Sequence, residues 1–203
     1  MTSIPLSLDG VTELPAGKIA NVVTFLEFAG PPPPAHDADV TVRVVEQPGV
    51  AWFRDLYRRI GEPWLWSWHA LMSDEAMADL LANPAFAVLA AVRGDTDIGL
   101  AVVSFAEPGE AEIVVFGVLP EATGTGAAAV LMSAVLSHAI RPMVGRVWLH
   151  TCTFDHPAAI PFYRRHGFRA VRRAIEVIDD PRLAGILPRE VAPHVPLIDP
   201  ERK

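Results

Sequence analysis

The chain has 203 residues, 51% of them hydrophobic and 20% charged, with a formal net charge of −7. That length supports one domain with a sizeable core. The acidic balance and the lack of a Lys/Arg block exclude an ordinary nucleic-acid binder, and no apolar run approaches the roughly 18 residues of a membrane helix. Cys152 is the single cysteine, so no disulfide can form within the chain. With no leader pattern at the start, the expected compartment is the cytoplasm.

Residues 1–39 read as an extension carrying one strand, Ile19–Phe28, followed by the proline run at 31–34. Ten strand residues cannot fold alone, so that strand must dock on the main sheet or on a partner subunit. Residues 40–178 read as the main domain and 179–203 as a wrapping tail. Val40–Glu46 alternates and predicts a strand. Trp52, Phe53, Leu56, Tyr57 and Ile60 recur at helical spacing until Gly61. Three tryptophans follow at 64, 66 and 68. Aromatics two residues apart fit one buried edge as well as a pocket wall. Ser73 predicts a helix cap, with Ala76–Leu81 behind it.

Phe86–Val92, Ile98–Phe105 and Glu112–Val118 are joined by short turns and should be antiparallel neighbours. Ala128, Leu131, Met132, Val135, Leu136 and Ala139 give a helix over 124–140 one sheet-facing stripe. Arg146–Thr151 then completes a β-α-β unit parallel to Glu112–Val118. A helix begins near Pro157 and stops at Gly167, and Phe168–Ile178 is the last strand. The expectation is an α/β (α+β) fold. Its sheet is mixed and mostly antiparallel, with helices on both faces and a V-shaped opening between the two parallel strands.

The stretch from Phe116 to Met132 carries the chemistry. It runs strand, turn through Pro120, Gly124 and Gly126, then helix. A helix start presents unpaired N–H groups and a favourable dipole to an anion, which reads as a phosphate cradle. Gly124-Thr-Gly-Ala-Ala-Ala129 fits a dinucleotide fingerprint, but the next strand ends in His150-Thr151 without the acid such sites use. A nucleotide P-loop would need a lysine that is absent. A strand-to-helix turn without a ligand is the plainest alternative.

A more specific likeness lies in Val118-x-Pro120-Glu121-x-x-Gly124-x-Gly126-x-Ala128, which resembles the acyl-CoA pyrophosphate loop of the GNAT acetyltransferases. Gly126 and Ala128 match, while Thr123 stands where that family has Arg or Gln. Ala159, Tyr163, Gly167 and Phe168 match a second motif of the family, with His156 in place of its Asn. The resemblance spans about 40–177. It implies an N-acetyltransferase that moves an acetyl group from acetyl-CoA to an amine. The alternative is a non-catalytic acyl-CoA-binding module on the same fold, and a dinucleotide-dependent oxidoreductase is more distant.

The resemblance implies that backbone at Phe116, Gly117 and Val118 pairs with pantetheine. Thr123, Gly124, Thr125, Gly126, Ala127, Ala128 and Ala129 would hold pyrophosphate, with His156 nearby. Tyr163 is the general acid expected for the leaving thiolate. Glu112 is the candidate base, with Glu110 and Glu27 as competitors. Glu27, Glu62, Trp64 and Trp66 are candidates for the acceptor site. His150 and His69 read as packed or partly exposed side chains. No His/Cys/Asp spacing suggests a metal. The expected partners are acetyl-CoA and an amine, with no nucleic acid or membrane, in a monomer or homodimer.

Overall fold

A computed structural model describes residues 5–31 and 39–200. Its seven strands are β1 (Lys18–Phe28), β2 (Thr41–Val44), β3 (Phe86–Arg93), β4 (Thr96–Ser104), β5 (Glu110–Val118), β6 (Arg146–Cys152) and β7 (Phe168–Asp179). They form one sheet in the order β2-β3-β4-β5-β6-β1-β7. Every neighbouring pair is antiparallel except β5 and β6. The mixed, mostly antiparallel sheet is therefore as expected.

The N-terminal strand takes the first of its two expected options. β1 lies inside the sheet, antiparallel to both β6 and β7. Pro32, Pro33 and Pro34 of the proline run fall outside the described residues.

Helices cover both faces. On one lies α1 (Val50–Gly61), with α2 (Asp74–Ala82) beside it; on the other lie α3 (Ala127–Ala139) and α4 (Ala159–Arg165). A Cβ on Gly117 would meet Ile60 of α1, whereas the neighbouring Phe116 stacks on Phe162 of α4. Between these layers Ile98–Ser104 of β4 is buried without interruption, as a strand covered on both faces must be. Phe53, Leu100, Leu131, Met132 and Leu136 sit at the centre of this core.

Some boundaries differ from the sequence reading. The helix expected from residue 124 begins at Ala127, because Gly124 and Gly126 have φ of +78° and +89° and belong to the turn. Those positive angles suit glycine. Ser73 caps α2 as expected, its Oγ accepting from the Ala76 N–H at 3.2 Å. Leu65 has φ +59°, which breaks the alternation of the three tryptophans. They do not form one buried edge: Trp64 and Trp66 are half-buried on different partners, and Trp68 is 63% exposed.

His69 follows that loop and plugs it onto α1, its ring against Phe53 and Tyr57. Its Nε2 is buried without a partner. Burial first, and then the charge of Arg54, pull its pKa from 6.5 to about 4. A histidine so depressed in the folded state stabilises above its unfolded pKa, and that contribution is lost as pH falls from about 6.5 towards 4. Urea unfolding across that interval should show up to about 3 kcal/mol of acid destabilisation from this residue. His69→Phe, which keeps a ring, should flatten the profile. An unchanged profile would refute the assignment.

Candidate active site

β5 and β6 begin side by side and then part. Their pairing covers Glu110 with Arg146, Ala111 with Val147, Glu112 with Trp148 and Ile113 with Leu149. Beyond Ile113, β5 continues to Val118 with partners on β4 alone. The backbone of Val114–Val118 thus has an unpaired edge facing β6. A β-bulge helps open it: Val102 pairs with Val115 and Val103 with Ile113, leaving Val114 without a partner. β6 bonds instead to β1 along its far side.

On the α1 face, the closed end of this slot is a charged cluster. Arg146 Nε donates to Glu27 at 2.7 Å, and Arg146 Nη1 donates to both Glu110 oxygens at 3.1 and 3.2 Å. Trp148 Nε1–H adds a bond to Glu110 at 2.9 Å. Two of the three carboxylates considered as bases are therefore committed to one guanidinium. Glu112 is not part of that cluster. Its Oε1 lies 3.5 Å from Nδ1 of His150, the exposed neighbour two residues further along β6. The bond to Glu112 raises the His150 pKa above 6.5 against the opposing effect of burial. The sequence reads His150 as packed or partly exposed, and the structure leaves it exposed; the pairing with Glu112 depends on the β5–β6 register.

At the open end, Asp155 gathers three donors. It accepts from Trp66 Nε1–H at 2.9 Å, from the Thr151 hydroxyl at 2.6 Å and from the Cys152 N–H at 2.9 Å. Trp66 lies over Gly61, where a Cβ would stand 2.3 Å from the indole, and its ring edge reaches Gly117. Trp64 points elsewhere, to His156 and to His194 of the tail. His156 Nδ1 accepts from the Ala158 N–H at 3.0 Å. A histidine here holds the turn into α4 as an Asn side chain would. Glu62 lies 3.9 Å from Arg58. Of the four expected acceptor-site residues, Trp66 reaches the slot, while Glu27 is held at its closed end by Arg146. Asp155 was not singled out from sequence, although an Asp just after a strand is a turn signal.

Tyr163, on α4, stands beside Phe116 with its ring edge-on to Phe116, Phe162 and Phe168. It is 8% exposed. Burial, and then the charge of Asp155, push its phenol well above the ordinary value of 10.0, so it stays protonated. Cys152 is likewise kept as a thiol, pushed by burial up to about 11.

The glycine turn leads from β5 into α3. A 3-10 turn at Pro120–Ala122 delivers Thr123 and Gly124. Ala129 and Val130 N–H groups both reach Gly126 O, while those of Gly126, Ala127 and Ala128 have no backbone acceptor among the described residues. A Cβ on Gly124 or Gly126 would meet no atom within 4 Å. Arg93, at the end of β3, donates from Nη2 to Thr125 Oγ1 at 2.9 Å. Its Nε lies 3.1 Å from Asp39. The sequence suggested only a hairpin at Arg93-Gly-Asp95, so this cation beside the turn was not foreseen.

Comparison with known proteins agrees with this geometry. The acetyltransferase (GNAT) family profile matches residues 53–168. No curated protein matches the chain. Among solved structures, a functionally unknown conserved protein from Staphylococcus epidermidis shares 16% identity at TM-score 0.62, over 81% of this chain and 63% of that one. A putative GNAT-family acetyltransferase from Novosphingobium aromaticivorans shares 19% identity at TM-score 0.58, over 82% and 68%. The PaiA N-acetyltransferase from Thermoplasma acidophilum, in complex with coenzyme A, shares 16% at TM-score 0.50, over 64% and 89%. The chain thus spans less than two thirds of the Staphylococcus protein's length, and at these identities the likeness is one of fold. Matched over more than half its length by the family profile, the chain belongs to the acetyltransferase (GNAT) family.

Proposed function

We propose that this chain is an N-acetyltransferase that transfers an acetyl group directly from acetyl-CoA to an amine. The observation that carries the reading is the slot: two parallel strands that part after four paired residues, with a glycine turn and helix start leading out of β5. The free backbone edge at Phe116, Gly117 and Val118 suits the amides of a pantetheine arm. The N–H groups of Gly126, Ala127 and Ala128 suit its pyrophosphate. Arg93 would add a cation to that cradle, in a place where Thr123 cannot. The Thermoplasma relative was solved with coenzyme A, which supports the same use here.

Direct transfer is favoured over a covalent enzyme intermediate, because the single cysteine is held as a thiol. The amine nitrogen attacks the thioester carbonyl and its proton passes to Glu112. The carbon–sulfur bond then breaks, and the Tyr163 hydroxyl donates to the departing sulfur. Glu112 is the base because Arg146 neutralises Glu110 and Glu27. His150, 3.5 Å from Glu112 and raised in pKa by it, must lose its proton before Glu112 is released from that ion pair to receive one from the amine. Trp66 and Asp155 would border the acceptor.

Three outcomes check this. Acetyl-CoA at about 100 times its dissociation constant should stabilise the fold by roughly 2.7 kcal/mol, read as a higher Tm, while NAD and ATP should not. Binding of acetyl-CoA with no thiol release across an amine panel would instead favour the non-catalytic module. Tyr163→Phe keeps the ring and should lower kcat by about 10² to 10⁴ with little change in acetyl-CoA binding; near-normal turnover would remove the acid role. The ascending limb of kcat/KM against pH should lie above 6.5, where His150 loses its proton, and should move to lower pH in His150→Gln. A limb that stays in place would dissociate His150 from the base.

A further inference from the structure

β7 ends the sheet. It is 12 residues long, and no strand pairs with its outer side among the described residues. Almost all of its side chains are exposed. Such an edge presents a row of unpaired N–H and C=O groups and is a template for a further strand. The face around it is uneven. Ile19 and Ile178 pair across β1 and β7, and the tail covers them through Leu187 and Val191. The opposite face carries Val22 with Ile175 and Ala20 with Val177. There Val22, Ile175 and Val177 are 40%, 51% and 46% exposed.

The residues along the edge specify what would cover it. A two-fold axis perpendicular to the sheet runs two copies of β7 antiparallel and keeps each side chain on its own face, so opposed residues differ by an even number. Centred on Arg173, such a pairing sets two arginines face to face. Centred on Ile175, it leaves Arg173 opposite Val177 and Arg172 opposite Ile178. Centred on Ala174, it sets Arg172 of each copy opposite Glu176 of the other, twice over, with the small Ala174 on the axis and Arg173 beside Ile175. Opposite charges directly across a strand pair stabilise it, and like charges destabilise it. Both side chains are exposed and face the α1 side, where Arg172 rests on the Phe25 ring and Glu176 accepts from Asn21 through one oxygen, Oε2. The same register joins the two bare patches around Ile175 and Val177.

We propose that β7 is the interface of a homodimer in which two copies pair antiparallel about Ala174, continuing one sheet through both. The partner is a second copy of this chain rather than an unrelated strand, because the strand's own charges complement themselves under the two-fold. The pairing leaves the β5–β6 slot untouched, so it stands or falls independently of the acyl-transfer reading.

Analytical ultracentrifugation of the full chain tests it. Wild type should sediment as a dimer. Glu176→Arg and Arg172→Glu each place like charges opposite one another twice, and each should raise the dimer dissociation constant by about tenfold or more. The double reversal, R172E with E176R, should restore the wild-type constant. Thermal melts of the same samples confirm that each variant is folded. A wild-type monomer at every concentration would overturn the proposal and make the edge arginines guards against strand pairing. Single reversals that dimerise as tightly as wild type, or a double reversal that fails to recover, would overturn the register and with it the interface.

Discussion

The structure depends on a strand pairing that is made and then stopped. Four residue pairs hold β5 to β6, and beyond them the edges that the two strands turn towards each other are left unpaired. An unpaired strand edge inside a sheet costs free energy unless something else uses its donors and acceptors. Here the surrounding packing keeps it open. Arg146 clamps the closed end through Glu27 and Glu110, drawing β1, β5 and β6 together. Each of these half-exposed ion pairs is worth little alone, about 0–1 kcal/mol, but they share one guanidinium with an added bond from Trp148. At the other end the bulge at Val114 turns β5 away, and Gly117 lets Ile60 and Trp66 press against the strand where a Cβ would stand 2.5 Å from Ile60. The slot is thus built by packing from one side and a clamp at its base.

That arrangement also sorts the acids. Three carboxylates lie near β5 and β6, and composition alone ranks none of them. Arg146 engages two, because its strand register sets it beside Glu110 on β5 and diagonally across from Glu27 on β1. Glu112, one pair further along, meets an imidazole instead. Under the proposed mechanism, suitability as the base follows from a neighbour's register more than from residue type. The same holds for Tyr163: its phenol is kept neutral by the aromatic cluster of Phe116, Phe162 and Phe168, which α4 and β7 bring to the slot's side.

What the sequence made legible was local. The change from strand period to helix period around Gly124 and Gly126, the Ser73 cap and the crossover from β5 to β6 each depend on residues close together in the chain. What it hid was set by distant pairing. The location of β1 between β6 and β7 requires contacts more than a hundred residues apart in sequence. Arg93 reaches Thr125 only because the β3–β4 hairpin ends beside the turn. The three tryptophans looked equivalent at a spacing of two, but Leu65 at positive φ sent Trp64 and Trp66 in different directions. Asp155 drew no reading from sequence, because its bond to Trp66 joins two loops that the sequence separates by 89 positions.

The tail shows how the open end of the slot is kept in shape. Arg182 and Asp180 are each 2% exposed and bonded to one another, and Arg182 also donates to the carbonyls of Val191, Ala192 and Val195. A buried pair of this kind adds little net stability over an apolar replacement, but it fixes geometry, since either charge left alone would be costly. One guanidinium gathers the carbonyls of Val191, Ala192 and Val195 and so folds the tail back on itself. The returned segment builds a second small core from Leu187 and Ala192 against Ile19, Leu65 and Phe154. His194 then meets Trp64 and the Phe154 carbonyl. Leu65 and Phe154 belong to the two loops that Asp155 and Trp66 tie together. The tail, through residues 182–195, therefore braces from outside the same pair of loops that border the open end of the slot.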